Sequence, residues 1–316
     1  EKRIAELEGG VGAVATSSGQ SAILIAMLNI AGAGDEIVTS SKIYGGTYNL
    51  FSKTFKQIGI NVKFINSDNL EDYEKAITDK TKCLYTETIG NPKLKVADIE
   101  GLAKIAHRHG IPLVVDNTVA TPYLCRPFDF GADIVVHSTT KYLSGHGNAM
   151  GGVVVDSGKF DWNQNNKFQM LTTPDESYHG TIYTEAFKEA AFIVKARAHL
   201  LRDLGCCQSP FNSYMTLLGL ETLHVRMDRH CKNALELAQY LESMKDINYV
   251  IYPGLESSAD YELAQKYLKK GASSLVGFGV RGDGTKFMEA LKLFIHSTNL
   301  GDVRSIITYP AGTTHR

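Results

Sequence analysis

Ile134-Val-Val-His-Ser138-Thr139-Thr140-Lys141-Tyr142-Leu-Ser144-Gly145-His146-Gly147 reads as a short apolar strand that runs into a polar, glycine-rich loop. The strand Ile134–His137 is bounded by hydroxyls, which fits a buried strand better than a helix. The same pattern repeats on both sides of it. Upstream, strands are expected at Glu36–Ser40, Asn61–Ile65, Lys82–Glu87 and Pro112–Asp116, and downstream at Gly152–Asp156. Helical patterns fall between them at Gly46–Gln57, Leu70–Thr78 and Ile99–His109. Strands rich in Val and Ile that alternate with helices imply an α/β fold, with a largely parallel sheet covered on both faces. Ligands in such sheets gather at the carboxyl ends of the strands.

From Thr184 to Met244 the sequence is mostly helical, with a break near Cys206–Pro210. Asn248–Tyr252, Ser274–Val280 and Leu293–His296 then read as strands of a second, smaller sheet. Helices at Asp260–Lys269 and Thr285–Leu291 cover it. The boundary is placed near Thr222, giving a large unit over 1–222 and a smaller one over 223–316.

Composition narrows the function classes. The chain has 316 residues, 43% of them apolar, with Lys+Arg 33 against Asp+Glu 34. That balance contains no polybasic run, so nucleic acid and anionic membrane are poor partners. The longest apolar stretch, Ala22 to Leu28, is too short to span a bilayer. No signal-peptide pattern opens the chain, and the first residue, Glu1, suggests a processed, truncated or partly ordered protein. Five cysteines without a Cys-x-x-Cys pair fit a reducing cytoplasm and argue against structural zinc. No metal is expected.

Three features carry chemistry together. Thr16-Ser17-Ser18-Gly19-Gln20 precedes the apolar run from Ala22, and hydroxyls with a glycine at a helix start make an anion site. Taken alone, this is more often an ordinary serine cap. Asp116 ends an apolar strand, where it can pair with a protonated ring nitrogen or simply cap a turn. Lys141 follows Asp116 by 25 residues and is flanked by Ser138 and Thr140. An isolated loop lysine is usually just solvated. A phosphate cup, a pyridinium partner and a Schiff-base lysine at strand ends of one sheet are, however, the set that pyridoxal 5′-phosphate needs.

Other motifs carry less. Ser138-Thr-Thr-Lys141 and Ser67-Asp68-Asn69 mimic the penicillin-binding signature, but their order is wrong and no Lys-Thr-Gly follows. Gly277-Phe-Gly279-Val-Arg-Gly282 reads as a strand through glycines rather than a dinucleotide loop. His107 and His109 sit at a helix end before Gly110, where capping is the expected role.

With these residues in place, the chain resembles the Cys/Met-metabolism family of pyridoxal-phosphate enzymes from Glu1 to Arg316. The resemblance is carried by Asp133–Gly147, Val115-Asp-Asn-Thr118, Tyr44-Gly-Gly-Thr47, Leu300-Gly-Asp302 and Tyr309-Pro-Ala-Gly-Thr-Thr-His315. Within that family, Thr173-Pro-Asp-Glu-Ser-Tyr-His-Gly180, Ala191–Arg197, Leu201–Gly205 and Ser209–Asn212 are most similar to the O-acetylhomoserine sulfhydrylases. The resemblance implies the aspartate-aminotransferase-like, fold-type I architecture, usually a homotetramer of tight dimers.

It also implies roles by position. Lys141 carries the cofactor, and Asp116 pairs with its ring nitrogen. Ser18, Gly19, Gln20, Ser138 and Thr140 hold its phosphate. Tyr44 stacks on the ring, and Asn91 contacts the phenolic oxygen or the substrate. Asn299 meets the substrate carboxylate. The implied reaction replaces the acetate of O-acetylhomoserine by sulfide or a thiol, giving homocysteine or methionine. A γ-lyase, a cystathionine γ-synthase and a non-catalytic homologue are the alternatives. Two family elements, an upstream Tyr-x-Arg and a downstream Arg-Leu-Ser, are absent from these 316 residues. The expectation for the 316 residues alone is weakened cofactor and substrate binding.

Overall fold

A computed structural model describes residues 1–309. Most of the closing Tyr309–His315 motif, and Arg316, therefore lie outside the described residues.

Seven strands form the main sheet: β1 Gly12–Thr16, β2 Glu36–Ser40, β3 Asn61–Ile65, β4 Thr81–Glu87, β5 Leu113–Asp116, β6 Ile134–Ser138 and β7 Gly152–Asp156. Their order is β1-β7-β6-β5-β4-β2-β3. The pairs from β3 through β6 are parallel. β7 runs antiparallel to both β6 and β1. β1 therefore points the same way as the parallel set, and β7 alone is reversed. The carboxyl ends of β1, β2, β4, β5 and β6 share one edge, where Ser18, Tyr44, Asn91, Asp116 and Lys141 follow.

The expected strands and helices are present, with small shifts at their ends. β5 begins at Leu113 rather than Pro112, whose ring removes a ladder donor. β1 and the preceding helix α1, Lys2–Glu8, are additions. Helix α2, Gly19–Leu28, is started by Ser18, whose side chain accepts from the Ser21 amide. It buries Ala22, Ile23, Ile25, Ala26 and Met27 against β6 and β7. The three Val residues of β7 and the Ile-Val-Val of β6 are fully enclosed. Each such side chain contributes about 1.5–3 kcal/mol of burial.

The long helical stretch breaks as expected before Pro210. Two helices follow, Pro210–Glu221 and Leu223–Ser243, with Thr222 between them out of helical geometry. Beyond them the structure differs from the expected three-stranded second sheet. β8 Ile247–Ile251 pairs antiparallel with β9 Gly277–Val280 alone. Ile295–His296 pairs instead with Ile306–Ile307, in a separate parallel pair. Ser274–Val276 stay outside β9, and the Tyr142 hydroxyl, in the loop after β6, bonds the Ser274 hydroxyl. No helix among the described residues is long and apolar enough to cross a membrane.

Candidate active site

The first turn of α2 leaves the Gly19 and Gln20 amides without intrahelical acceptors, so the helix start is poised for an anion. This turn touches the end of β6. A Cβ placed on Gly19 would lie 2.7 Å from the Ser138 Cβ. Only glycine lets the two backbones approach so closely, which brings Ser18, Gly19 and Ser138 to one cup. Thr140 lies two residues beyond Ser138 and is tied to the start of β7. Its hydroxyl bonds the Gly151 carbonyl at 3.2 Å, and the Gly151 amide returns to it at 3.1 Å.

Asp116 ends β5. Its Oδ1 accepts the Thr118 amide at 2.9 Å, and the Tyr85 hydroxyl donates to Oδ2 at 3.4 Å. Thr118 in turn accepts the Ser138 amide at 2.8 Å. One threonine thus ties the acid of β5 to the loop that leaves β6. Burial pushes the Asp116 carboxyl upward, while the Thr118 contacts pull it back down.

Lys141 follows in that loop. Its Nζ meets Asn299 Oδ1 at 2.6 Å, and among the described residues it makes no ion pair. Burial alone lowers its pKa, which favours the neutral amine. The contact with Asn299 depends on Gly301, whose φ of +76° suits glycine. A Cβ there would sit 2.6 Å from the Tyr142 nitrogen, so the Leu300-Gly301-Asp302 motif packs directly on the lysine's own backbone.

The structure thus brings together Ser18, Gly19, Ser138, Thr140, Asp116, Lys141 and Asn299. Tyr44, half exposed, opens the short helix α3, Gly45–Asn49, beside Gln20 near Gly46. Asn91 lies partly buried on the loop after β4. Among the described residues no cluster of His, Cys, Asp and Glu fits a metal.

The residues present fit pyridoxal 5′-phosphate. Gly19 leaves a cradle that a Cβ would fill, at a helix start suited to phosphate. A partly buried acid stands where a charged ring nitrogen could be paired. The lysine is desolvated and free of any carboxylate.

A family model described as Cys/Met metabolism PLP-dependent enzyme matches residues 1–316. This chain belongs to that family. Curated relatives include an O-acetyl-L-homoserine sulfhydrylase of Leptospira meyeri, 49% identical over all of this chain and 74% of the relative. A homocysteine synthase of Schizosaccharomyces pombe is also 49% identical, over all of this chain and 75% of the relative. A solved structure of a putative O-acetylhomoserine (thiol)-lyase from Campylobacter jejuni superposes with a TM-score of 0.96 at 39% identity. It covers 99% of this chain and 76% of that one, and contains N′-pyridoxyl-lysine-5′-monophosphate. The fold-type I architecture expected from sequence is therefore the one adopted, and the Cys/Met-metabolism enzymes' dependence on pyridoxal phosphate extends to this chain.

Sequence reasoning gave no role to several residues of this site. Thr118 stands two residues after Asp116, and nothing in the sequence signals its bond to the Ser138 amide. Tyr85 and Glu87 looked like ordinary strand residues, and only cross-strand register reveals their contacts.

Proposed function

We propose that this protein is an O-acetylhomoserine sulfhydrylase acting in methionine biosynthesis. In the net reaction the Cγ–O bond of O-acetylhomoserine breaks, a Cγ–S bond forms with sulfide or a thiol, and acetate departs. The observation that carries the reading is the desolvated Lys141 amine, held by Asn299 rather than by a carboxylate. The names borne by the relatives narrow the substrate.

Bound pyridoxal phosphate supplies a protonated ring that stores the electron pair of the substrate carbanion. The chain's own residues do the remainder. The Lys141 amine takes and returns the protons at the substrate's α and β carbons. Asp116 holds the proton on the ring nitrogen. Ser18, Gly19, Gln20, Ser138 and Thr140 grip the phosphate. Tyr44 covers the ring, Asn91 reaches the phenolic oxygen or the substrate, and Asn299 binds the substrate carboxylate once Lys141 releases it.

The proposal includes a division into a cofactor-carrying unit over 1–222 and a smaller unit over 223–316, a homotetrameric assembly, and a cytoplasmic setting. All five cysteines are free thiols, which supports that setting.

The test is direct. Protein incubated with pyridoxal phosphate develops the cofactor's visible absorbance, then converts O-acetylhomoserine and sulfide to homocysteine and acetate. Formation of 2-oxobutyrate and ammonia without any thiol, in place of homocysteine, would sink the replacement reading in favour of a γ-lyase. A colourless protein after cofactor addition would point to a non-catalytic homologue.

A further inference from the structure

Glu87 is the last residue of β4 and is only 7% exposed. Its register partner on β5 is Asp116, so the two acids share one face of the sheet. Among the described residues Glu87 makes no ion pair. Its Oε1 instead accepts the Tyr44 amide at 2.8 Å, and the Asn91 backbone amide bonds the same carboxyl. Tyr44 enters α3 from extended backbone, with φ −52° and ψ 133°. Its amide therefore has no helical acceptor and needs one elsewhere. Tyr44 and Asn91 belong to two different crossover loops, one after β2 and one after β4. A single buried carboxyl fastens both.

We propose that Glu87 is a positioning residue of the cofactor site, holding the Tyr44 and Asn91 loops in place by accepting their backbone amides. The inference rests on the pyridoxal-phosphate reading above and deepens it. Loss of the acceptor frees the Tyr44 and Asn91 loops together, so ring stacking and the contact at the phenolic oxygen suffer as a pair. Electrostatics agree. Burial, and then the neighbouring Asp116, push the Glu87 carboxyl well up. The same burial pushes the Asp116 carboxyl up as well, so two neighbouring acids at this sheet end resist carrying two charges at once.

The test compares Glu87→Ala and Glu87→Gln with the parent protein. Pyridoxal phosphate affinity is measured by titration of the visible absorbance, and the melting temperature of each cofactor-free form is recorded beside it. Gln keeps a carbonyl acceptor in the same place, whereas Ala removes it. The expected result is at least a tenfold weaker Kd and an altered absorption band for Glu87→Ala, with Glu87→Gln within threefold of the parent. The proposal is overturned if Ala leaves the affinity within twofold and the band unchanged, even when the melting temperature falls. It is also overturned if Gln is as damaging as Ala, because charge rather than acceptance would then matter. A parent protein that binds no cofactor would instead defeat the underlying reading, so the two failures are distinguishable.

Discussion

At the scale of single residues, the site rests on a few side chains that do unlike things. Changing Lys141 to Ala removes the amine proposed both to hold the cofactor and to carry protons, so turnover should fall by about 10³-fold or more. The cofactor absorbance of that variant should lose its lysine-bound form; unchanged turnover by a homocysteine assay would refute the assignment. Gly19→Ala tests the cup by shape alone. Its methyl would meet the Ser138 Cβ at 2.7 Å, so pyridoxal phosphate should bind at least tenfold more weakly while the far-ultraviolet dichroism stays native. Lys141 and Asp116 were legible because a lysine and an acid at strand ends are chemically conspicuous. Thr118 and Glu87 were not. A hydroxyl or an acid beside a strand end resembles a cap, and its work becomes visible only when the neighbouring strands are in register.

At the scale of elements, most strands and helices could be read from periodicity, and the exceptions have physical causes. β1, Gly12-Ala-Val-Ala-Thr16, is built largely of residues that favour strands poorly. It becomes a strand because five registered positions pair it with β7. The reversal of β7 was equally hidden, since a run of valines looks the same in either direction. The second sheet was expected to have three strands, but Ile295–His296 forms only two residues of strand and pairs with Ile306–Ile307 instead of with β8 or β9. The helix Leu223–Ser243 also reaches into the site's support. Arg226 donates to the Tyr142 carbonyl at 2.9 Å and to the Gly219 carbonyl at 2.7 Å. It thereby pins the residue after Lys141 to the preceding helix. Arg226→Leu strips two partly buried carbonyls of their donor, and should lower stability by about 2–4 kcal/mol in urea unfolding. A loss under 0.5 kcal/mol would show that water replaces the guanidinium.

At the scale of the whole molecule, a titration and a surface stand out. Asp156, at the opposite end of the sheet from Lys141, is buried, and desolvation pushes its carboxyl up from the ordinary 3.8 to about 7. The folded state therefore holds a proton that the unfolded state releases between those values, so this group makes the protein less stable as pH rises from about 4 to about 7. Asp156→Asn should flatten that part of the stability–pH curve and raise the melting temperature at pH 8 relative to the parent. An unaltered slope would place the titration elsewhere. The surface is the helix Pro210–Glu221, which exposes Phe211 at 67%, Tyr214 at 57%, and Leu217 and Leu218 besides, next to exposed Met150. So much clustered apolar area suits a self-complementary contact between copies. Tyr214→Asp should shift the mass measured by light scattering toward the monomer; a mass unchanged from the parent's would locate the contact on another face.

The pairing of β1 with β7 also sets an order of events in synthesis. β1 precedes Ser18 and Gly19, yet its strand partner in the sheet ends at Asp156, some 140 residues later in the chain. Until β7 has emerged and turned back, β1 lacks its neighbour in the sheet, and Ser18 and Gly19 lack their place beside Ser138. A chain that ends before β6 and β7 therefore lacks the Gly19–Ser138 approach on which the proposed phosphate site depends. On the proposed reading, pyridoxal phosphate binds the sheet once it has closed and stabilises it by mass action.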